Sequence, residues 1–185
     1  MTMKFDTLES KTIYQGRVFS LRLDQVRMPN GNQTQVDIID HPPAVTLVPF
    51  DAEGNIWFIR QYRHPTGMEI LELPAGVIEA DEPPDECARR EIREETGMSA
   101  GNIQPIGAFY QVPGYSTEYL YVYLAWDLKP DPLPGDEDEF ISVERIPIDR
   151  AYQMAQNGDI SDSKTLAALL LAAPHLKIRI SAGQG

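Results

Sequence analysis

The sequence has a single cysteine, Cys87, so no disulfide can form within the chain. That fits a reducing compartment, and a cytoplasmic protein is the expectation. Positive charge is scarce: 16 Lys and Arg stand against 28 Asp and Glu, for a formal net charge of −12. Binding to nucleic acid or to an anionic membrane surface relies on clustered cations, so neither is an expected partner. Long hydrophobic runs are missing too. The longest, such as residues 166–173, fall well short of a membrane span, and residues 1–9 have no basic flank followed by an apolar stretch, so no span and no signal peptide are expected. There is no internal repeat.

What is present is 42% hydrophobic residues in 185, enough to build the core of one domain, or of one domain with a small appendage. An acidic protein can bind a phosphorylated small molecule when divalent cations sit between its carboxylates and the phosphates. Concentrated carboxylates are therefore the feature to seek.

Residues 18–26 and 34–39 read as β-segments around Pro29-Asn30-Gly31-Asn32, whose Asn-Gly pair signals a hairpin. Residues 44–50 and 55–61, rich in β-branched and aromatic side chains, flank the turn 51–54 and predict a second hairpin. From Pro83 to Thr96 the pattern is helical, with Gly97 suited to the position just past the end. Strands follow at 103–110, 118–126 and 140–146, and helices at 149–156 and 163–173. This order predicts an α+β fold with a mixed sheet and helices packed on it. Residues 130–139 (PDPLPGDEDE) form an acidic loop.

Within the helix, Glu91 and Glu95 stand four apart on one face, with Glu94 on the neighbouring row. Glu86, Arg90 and Glu94 form a Glu-Arg-Glu ladder, whereas Glu91 over Glu95 has no such compensation. A hard divalent cation held by the carboxylates would relieve the repulsion. The plain alternative is a solvated, charged helix face.

From Gly76 to Met98 the sequence reads GVIEADEPPDECARREIREETGM. It resembles the Nudix box: Gly, five residues, Glu, seven residues, Arg-Glu-apolar, one residue, Glu-Glu, one residue, Gly-apolar. Gly76, Glu82, Arg90, Glu91, Ile92, Glu94, Glu95, Gly97 and Met98 fill every specified position. The resemblance implies an α/β/α sandwich in which Glu91, Glu94 and Glu95 bind magnesium or manganese. The segments Arg60-Gln61-Tyr62-Arg63, Glu72-Leu73-Pro74-Ala75-Gly76 and Pro113-Gly114-Tyr115-Ser116-Thr117-Glu118 are similar to the ADP-ribose pyrophosphatase branch of that family. That likeness implies hydrolysis of ADP-ribose to AMP and ribose 5-phosphate. It also implies the Ala75 carbonyl as a metal ligand, Arg63 as a contact to the substrate's phosphates and Glu118 as a polar contact in the substrate pocket.

In this branch the general base sits on a mobile acidic loop after the box. Matching residues 136–141 to it puts Glu137 in the base role and Glu139 near the metals, with Arg90 orienting the glutamates. The branch also implies that residues 1–42 form a small antiparallel sheet apart from the hydrolase domain, residues 43–185, and exchange with a partner subunit in a homodimer. Phe19, Arg22 and Arg27 would then be contacts across it.

Other readings stay open on the residues alone. Arg63 can simply close a surface ion pair, and Pro113-Gly114 can be only a turn. Glu72 alternates outward from its strand and needs no function. Trp57 and Phe58 are core residues, and His64 is a loop residue. Another nucleoside diphosphate sugar or NADH could be the substrate, and a Nudix-fold ligand-binding module without catalysis is the rival from a different class.

Overall fold

The computed structural model describes residues 4–135 and 140–182, with side chains as far as Leu176. The chain forms two compact units, one holding the residues up to Pro43 together with Phe109–Tyr119, the other Ala44–Ala108 together with the residues from Leu120 onward.

The first unit is built on a three-stranded antiparallel sheet in the order β1 (Asp6–Gln15), β2 (Ser20–Arg27), β3 (Gln33–Asp40). The turn between β2 and β3 closes at the expected place: Met28 N donates to Asn32 O at 2.8 Å, and Gly31 takes φ 86°, which glycine adopts without a Cβ penalty. Strand β1 was not expected from the sequence at all. Every one of its residues is exposed, so no half-buried alternation marks it, and its pairing with β2 slips between Thr7 and Glu9 and between Thr12 and Tyr14. The segment 109–119 is stitched to β3 by Ile39 N to Tyr115 O (2.8 Å) and Thr117 N to Ile39 O (3.0 Å).

The second unit has two sheets. One runs β7 (Ala75–Val77), β4 (Ala44–Pro49), β9 (Tyr119–Pro130), β8 (Met98–Tyr110), with β4 parallel to β9 and antiparallel to β7. The other runs β10 (Ile141–Pro147), β5 (Asn55–Arg63), β6 (Met68–Glu72), antiparallel throughout. The expected hairpin of residues 44–50 with 55–61 does not form: β4 and β5 share only the bridge Phe50 to Ile56 and then enter different sheets. All six residues of β4 are buried, the mark of a central strand covered on both faces rather than one arm of a hairpin.

Helix α1 (Pro84–Thr96) packs on β4 and β7, α2 (Ile148–Asn157) on β5 and β10, and α3 (Ser163–Ala182) on β4. Pro84 opens α1, Asp85 and Glu86 sit in its first turn, and Gly97 ends it at φ 72° with its N–H on Arg93 O. Its core stripe of Cys87, Ala88 and Ile92 meets Val45, Leu47, Tyr123 and Ala125. Helix α3 was expected to stop before Pro174 but continues through it. The chain is α+β, with a mixed sheet flanked by helices. Among the described residues no helix is long and apolar enough to cross a membrane.

Candidate active site

The buried residues of α1 are Cys87, Ala88, Glu91, Ile92, Glu95 and Thr96, which puts two glutamates on the same inward stripe as the apolar anchors. Glu91 is 8% exposed and Glu95 6%, so the plain reading of a solvated charged face does not hold for them. Carboxylates that far from water need firm partners.

Gly76 and Ala75 supply part of the enclosure. A Cβ on Gly76 would lie 1.9 Å from the Glu91 carboxylate carbon, so only glycine lets that carboxylate rest against the backbone. Ala75 N donates to Glu95 Oε2 at 2.8 Å. Pro74 O, one peptide earlier, accepts from Leu47 N (2.9 Å) and Thr46 Oγ1 (3.0 Å). The turn that presents the Ala75 carbonyl is thus held from β4 and from α1 together.

Arg90 is the hub among the acids. Its Nε and Nη2 donate to the two oxygens of Glu82, each at 2.9 Å, and Nη2 also reaches Val77 O at 3.2 Å. Nη1 donates to Glu91 Oε1 (2.6 Å) and Glu94 Oε2 (2.8 Å). The expected ladder is corrected in one respect: Glu94 takes its place, but Glu82 rather than Glu86 grips the other side, because the loop before the helix folds Glu82 back over Arg90. The Glu91 row also has more compensation than spacing alone suggested, from Arg90 and from the Ala75 amide. The fork from Arg90 holds the Glu82 carboxyl down to about 2. The same bond, with the charge of Glu91 and the hydrogen bonds to Glu91 and Glu94, holds the guanidinium well above its ordinary range despite burial.

Cys87, beside this hub, is fully buried, and burial first of all pushes its thiol up, away from the reactive thiolate form.

Across the sheet, Arg63 donates from Nε (2.8 Å) and Nη2 (2.7 Å) to Glu72, whose side chain is 2% exposed. The outward orientation of Glu72 expected from alternation is therefore corrected: the carboxylate is drawn inward by Arg63 and by Lys164 on α3. Burial pushes the Glu72 carboxyl up, but the Arg63 bonds and the Lys164 charge outweigh it and hold it below its usual value. Phe58 is fully buried, as expected. Trp57 is half-buried, its Nε1 donating to Asp51 at 2.9 Å and its ring 5.5 Å from the Arg145 guanidinium.

The remaining candidates divide in two. Phe19, Arg22, Arg27 and Glu118 belong to the first unit. Phe19 is exposed in the turn after β1, 6.4 Å from the Tyr14 ring, and Arg22 lies 3.7 Å from Asp24 and 3.8 Å from Asp40. Arg27 is exposed at the end of β2, and the Glu118 carbonyl accepts from Gln111 N at 3.1 Å. Glu137 and Glu139 lie outside the described residues.

Among the described residues, no three Asp, Glu, His or Cys side chains converge as a metal centre. The donors that do lie together, the Glu91 and Glu95 carboxylates beside the Ala75–Gly76 backbone, are hard oxygens. They fit magnesium or manganese and would not suit a soft metal.

Residues 40–169 match the NUDIX domain model. The chain belongs to the Nudix hydrolase family. Residues 5–35 of this Nudix protein match a second model, the nucleoside diphosphate sugar hydrolase N-terminal domain. The chain is 35% identical to an ADP-ribose pyrophosphatase of Bacillus subtilis (strain 168), over 88% of this chain and 89% of that one. It is 31% identical to a GDP-mannose pyrophosphatase of Yersinia enterocolitica, over 95% and 98%. A crystal structure of an ADP compounds hydrolase superposes with a TM-score of 0.86 at 26% identity, covering 95% of this chain and 96% of the other. These relatives accord with a Nudix enzyme acting on a nucleotide diphosphate.

Sequence reasoning missed Lys164, Asp162 and Thr165 entirely and gave Glu82 no role. Asp162 just before a helical run is a helix-start signal that could have drawn attention to its neighbours.

Proposed function

We propose that this Nudix hydrolase cleaves the diphosphate of ADP-ribose to AMP and ribose 5-phosphate, and does so in the cytoplasm. The observation that carries the reading is the pair of buried carboxylates, Glu91 and Glu95, lodged against Gly76 and Ala75. A diphosphate and these acids repel one another unless a cation separates them. Magnesium, or manganese, would be held by Glu91, Glu95, the Ala75 carbonyl and Glu139, and when bound it supplies a more acidic water and charge neutralisation on the phosphoryl oxygens.

The protein's own residues do the rest. Glu82 and Arg90 fix Glu91 and Glu94 in place, Arg63 contacts the diphosphate, and Glu137 takes the proton from the attacking water. Water adds to one phosphorus, the bridging oxygen leaves with the other phosphate, and two monophosphates result. Residues 1–42 serve as the dimerisation element of a homodimer, and Phe19 and Glu118 contact the substrate; the match of residues 5–35 to the nucleoside diphosphate sugar hydrolase N-terminal domain supports a role for this region in such an enzyme.

The box sets the reaction and not the leaving group, and the GDP-mannose pyrophosphatase relative favours one second reading, a different nucleoside diphosphate sugar. Product analysis with magnesium against ADP-ribose, ADP-glucose, GDP-mannose, NADH and diadenosine polyphosphates tests both. Preferential release of AMP and ribose 5-phosphate from ADP-ribose is expected. Preference for GDP-mannose would replace the substrate, and no turnover of any compound by folded protein would overturn the catalytic reading.

A further inference from the structure

Glu72 ends β6 between Leu71 and Leu73, both buried, and its carboxylate is itself buried. Two cations reach it. Arg63, at the end of β5, grips both oxygens through Nε and Nη2, and Lys164, in the first turn of α3, donates to Oε2. Lys164 is held in turn by Asp162 Oδ2 at 3.0 Å. That same oxygen caps α3, accepting from Thr165 N (3.0 Å) and Thr165 Oγ1 (2.6 Å). Thr165 Oγ1 closes the circuit by accepting from Leu73 N at 2.8 Å.

A network of four ionised groups around the buried Glu72–Lys164 pair is a poor way to gain stability, because apolar side chains in place of a buried ion pair do as well or better. What it does provide is orientation. Ile59 pairs with Glu72 and Arg63 follows Ile59 by four residues, so Arg63 and Glu72 share one face of the β5–β6 pair. The edge of the guanidinium formed by Nε and Nη2 is taken up by Glu72. The other edge, with Nη1, has no hydrogen-bond partner among the described residues, and the Arg63 side chain is 39% exposed. The charge of Glu95 on α1 also acts on this guanidinium. A planar fork with one edge fixed and the other open is suited to two phosphate oxygens.

We propose that Lys164 and Asp162 are positioning residues for the hydrolysis. They lock the Glu72 carboxylate in the plane that grips Arg63, so that the open edge of its guanidinium is presented to the diphosphate. The proposal rests on the reading that Arg63 contacts the substrate's phosphates.

The test compares full-length Lys164→Met, Arg63→Ala and the double variant in steady-state kinetics on ADP-ribose at saturating magnesium. Lys164→Met is expected to raise KM about tenfold with kcat nearly unchanged, the scale seen when a supporting partner of a binding group is lost. Arg63→Ala raises KM at least as much, and the double variant is no worse than Arg63→Ala, because Lys164 acts only through that side chain. Lys164→Arg, which keeps a cation beside Glu72, restores KM toward wild type. If Lys164→Met does not fold, Asp162→Asn releases the lysine and carries the same KM test. A raised KM for Arg63→Ala with wild-type KM for Lys164→Met overturns the positioning role alone, as does an additive double variant. A wild-type KM for Arg63→Ala overturns the phosphate reading, and this proposal with it.

Discussion

Replacing Gly76 by alanine probes the carboxylate site with the smallest possible change. The added methyl would sit 1.9 Å from the Glu91 carboxylate carbon and from Oε1, and 2.3 Å from Oε2. To regain ordinary contact the carboxylate must retreat by roughly 1.5 Å. The obstacle is the end of a flexible side chain and not backbone, so the fold survives with a loss of about 1 to 3 kcal/mol, typical of mild overpacking. The retreat breaks the 2.6 Å bond from Arg90 and moves an oxygen donor out of place. Displacement of a reacting constellation by about 1 Å can reduce turnover on the order of 100-fold. Gly76→Ala is therefore expected to unfold cooperatively in urea with its midpoint lowered by about 0.5 to 1.5 M, while kcat on ADP-ribose falls by about 100-fold. Wild-type kcat in the folded variant would refute the claim that Glu91 works from its place against Gly76.

Glu82 makes an acid-stability prediction. Its folded carboxyl is held down to about 2 by Arg90, against an ordinary value of 4.5, so its contribution is fully present above pH 4.5 and is lost as pH falls toward 2. Glu82→Gln should flatten the acid limb of stability over that window in urea unfolding at stepped pH; an unchanged limb would contradict it. Glu72→Gln leaves Arg63 and Lys164 facing a neutral amide in a buried place, and a loss of about 3 to 5 kcal/mol is expected from urea unfolding. A loss below about 1 kcal/mol, the range of an exposed pair, would show that the network is solvated.

Much of the site was legible because it is local. The box lies on one helix and the loop that leads into it, so spacing alone places Glu91 over Glu95 and Arg90 beside Glu94. The turn at Gly31 and the end of α1 at Gly97 were legible for the same reason, each resting on glycine in the left-handed region. What escaped is long-range. Glu72 looks outward by strand alternation, and only its partners, Arg63 on β5 and Lys164 from α3, explain why it is buried. The division of β4 and β5 between two sheets depends on the parallel pairing of β4 with β9, which no short window of sequence contains. Glu82 grips Arg90 because a loop folds back, and the helix period carries no trace of it.

If buried carboxylates on α1 carry a metal-dependent hydrolysis, Glu95→Gln is the sharpest probe of it. The amide keeps the size of the side chain and can still accept from Ala75 N, so the fold should persist in circular dichroism and urea unfolding. Turnover of ADP-ribose is then measured across a magnesium titration for wild type and variant. Magnesium-dependent turnover is expected to be abolished in folded Glu95→Gln; undiminished turnover at the same magnesium concentration would rule out a metal role for Glu95.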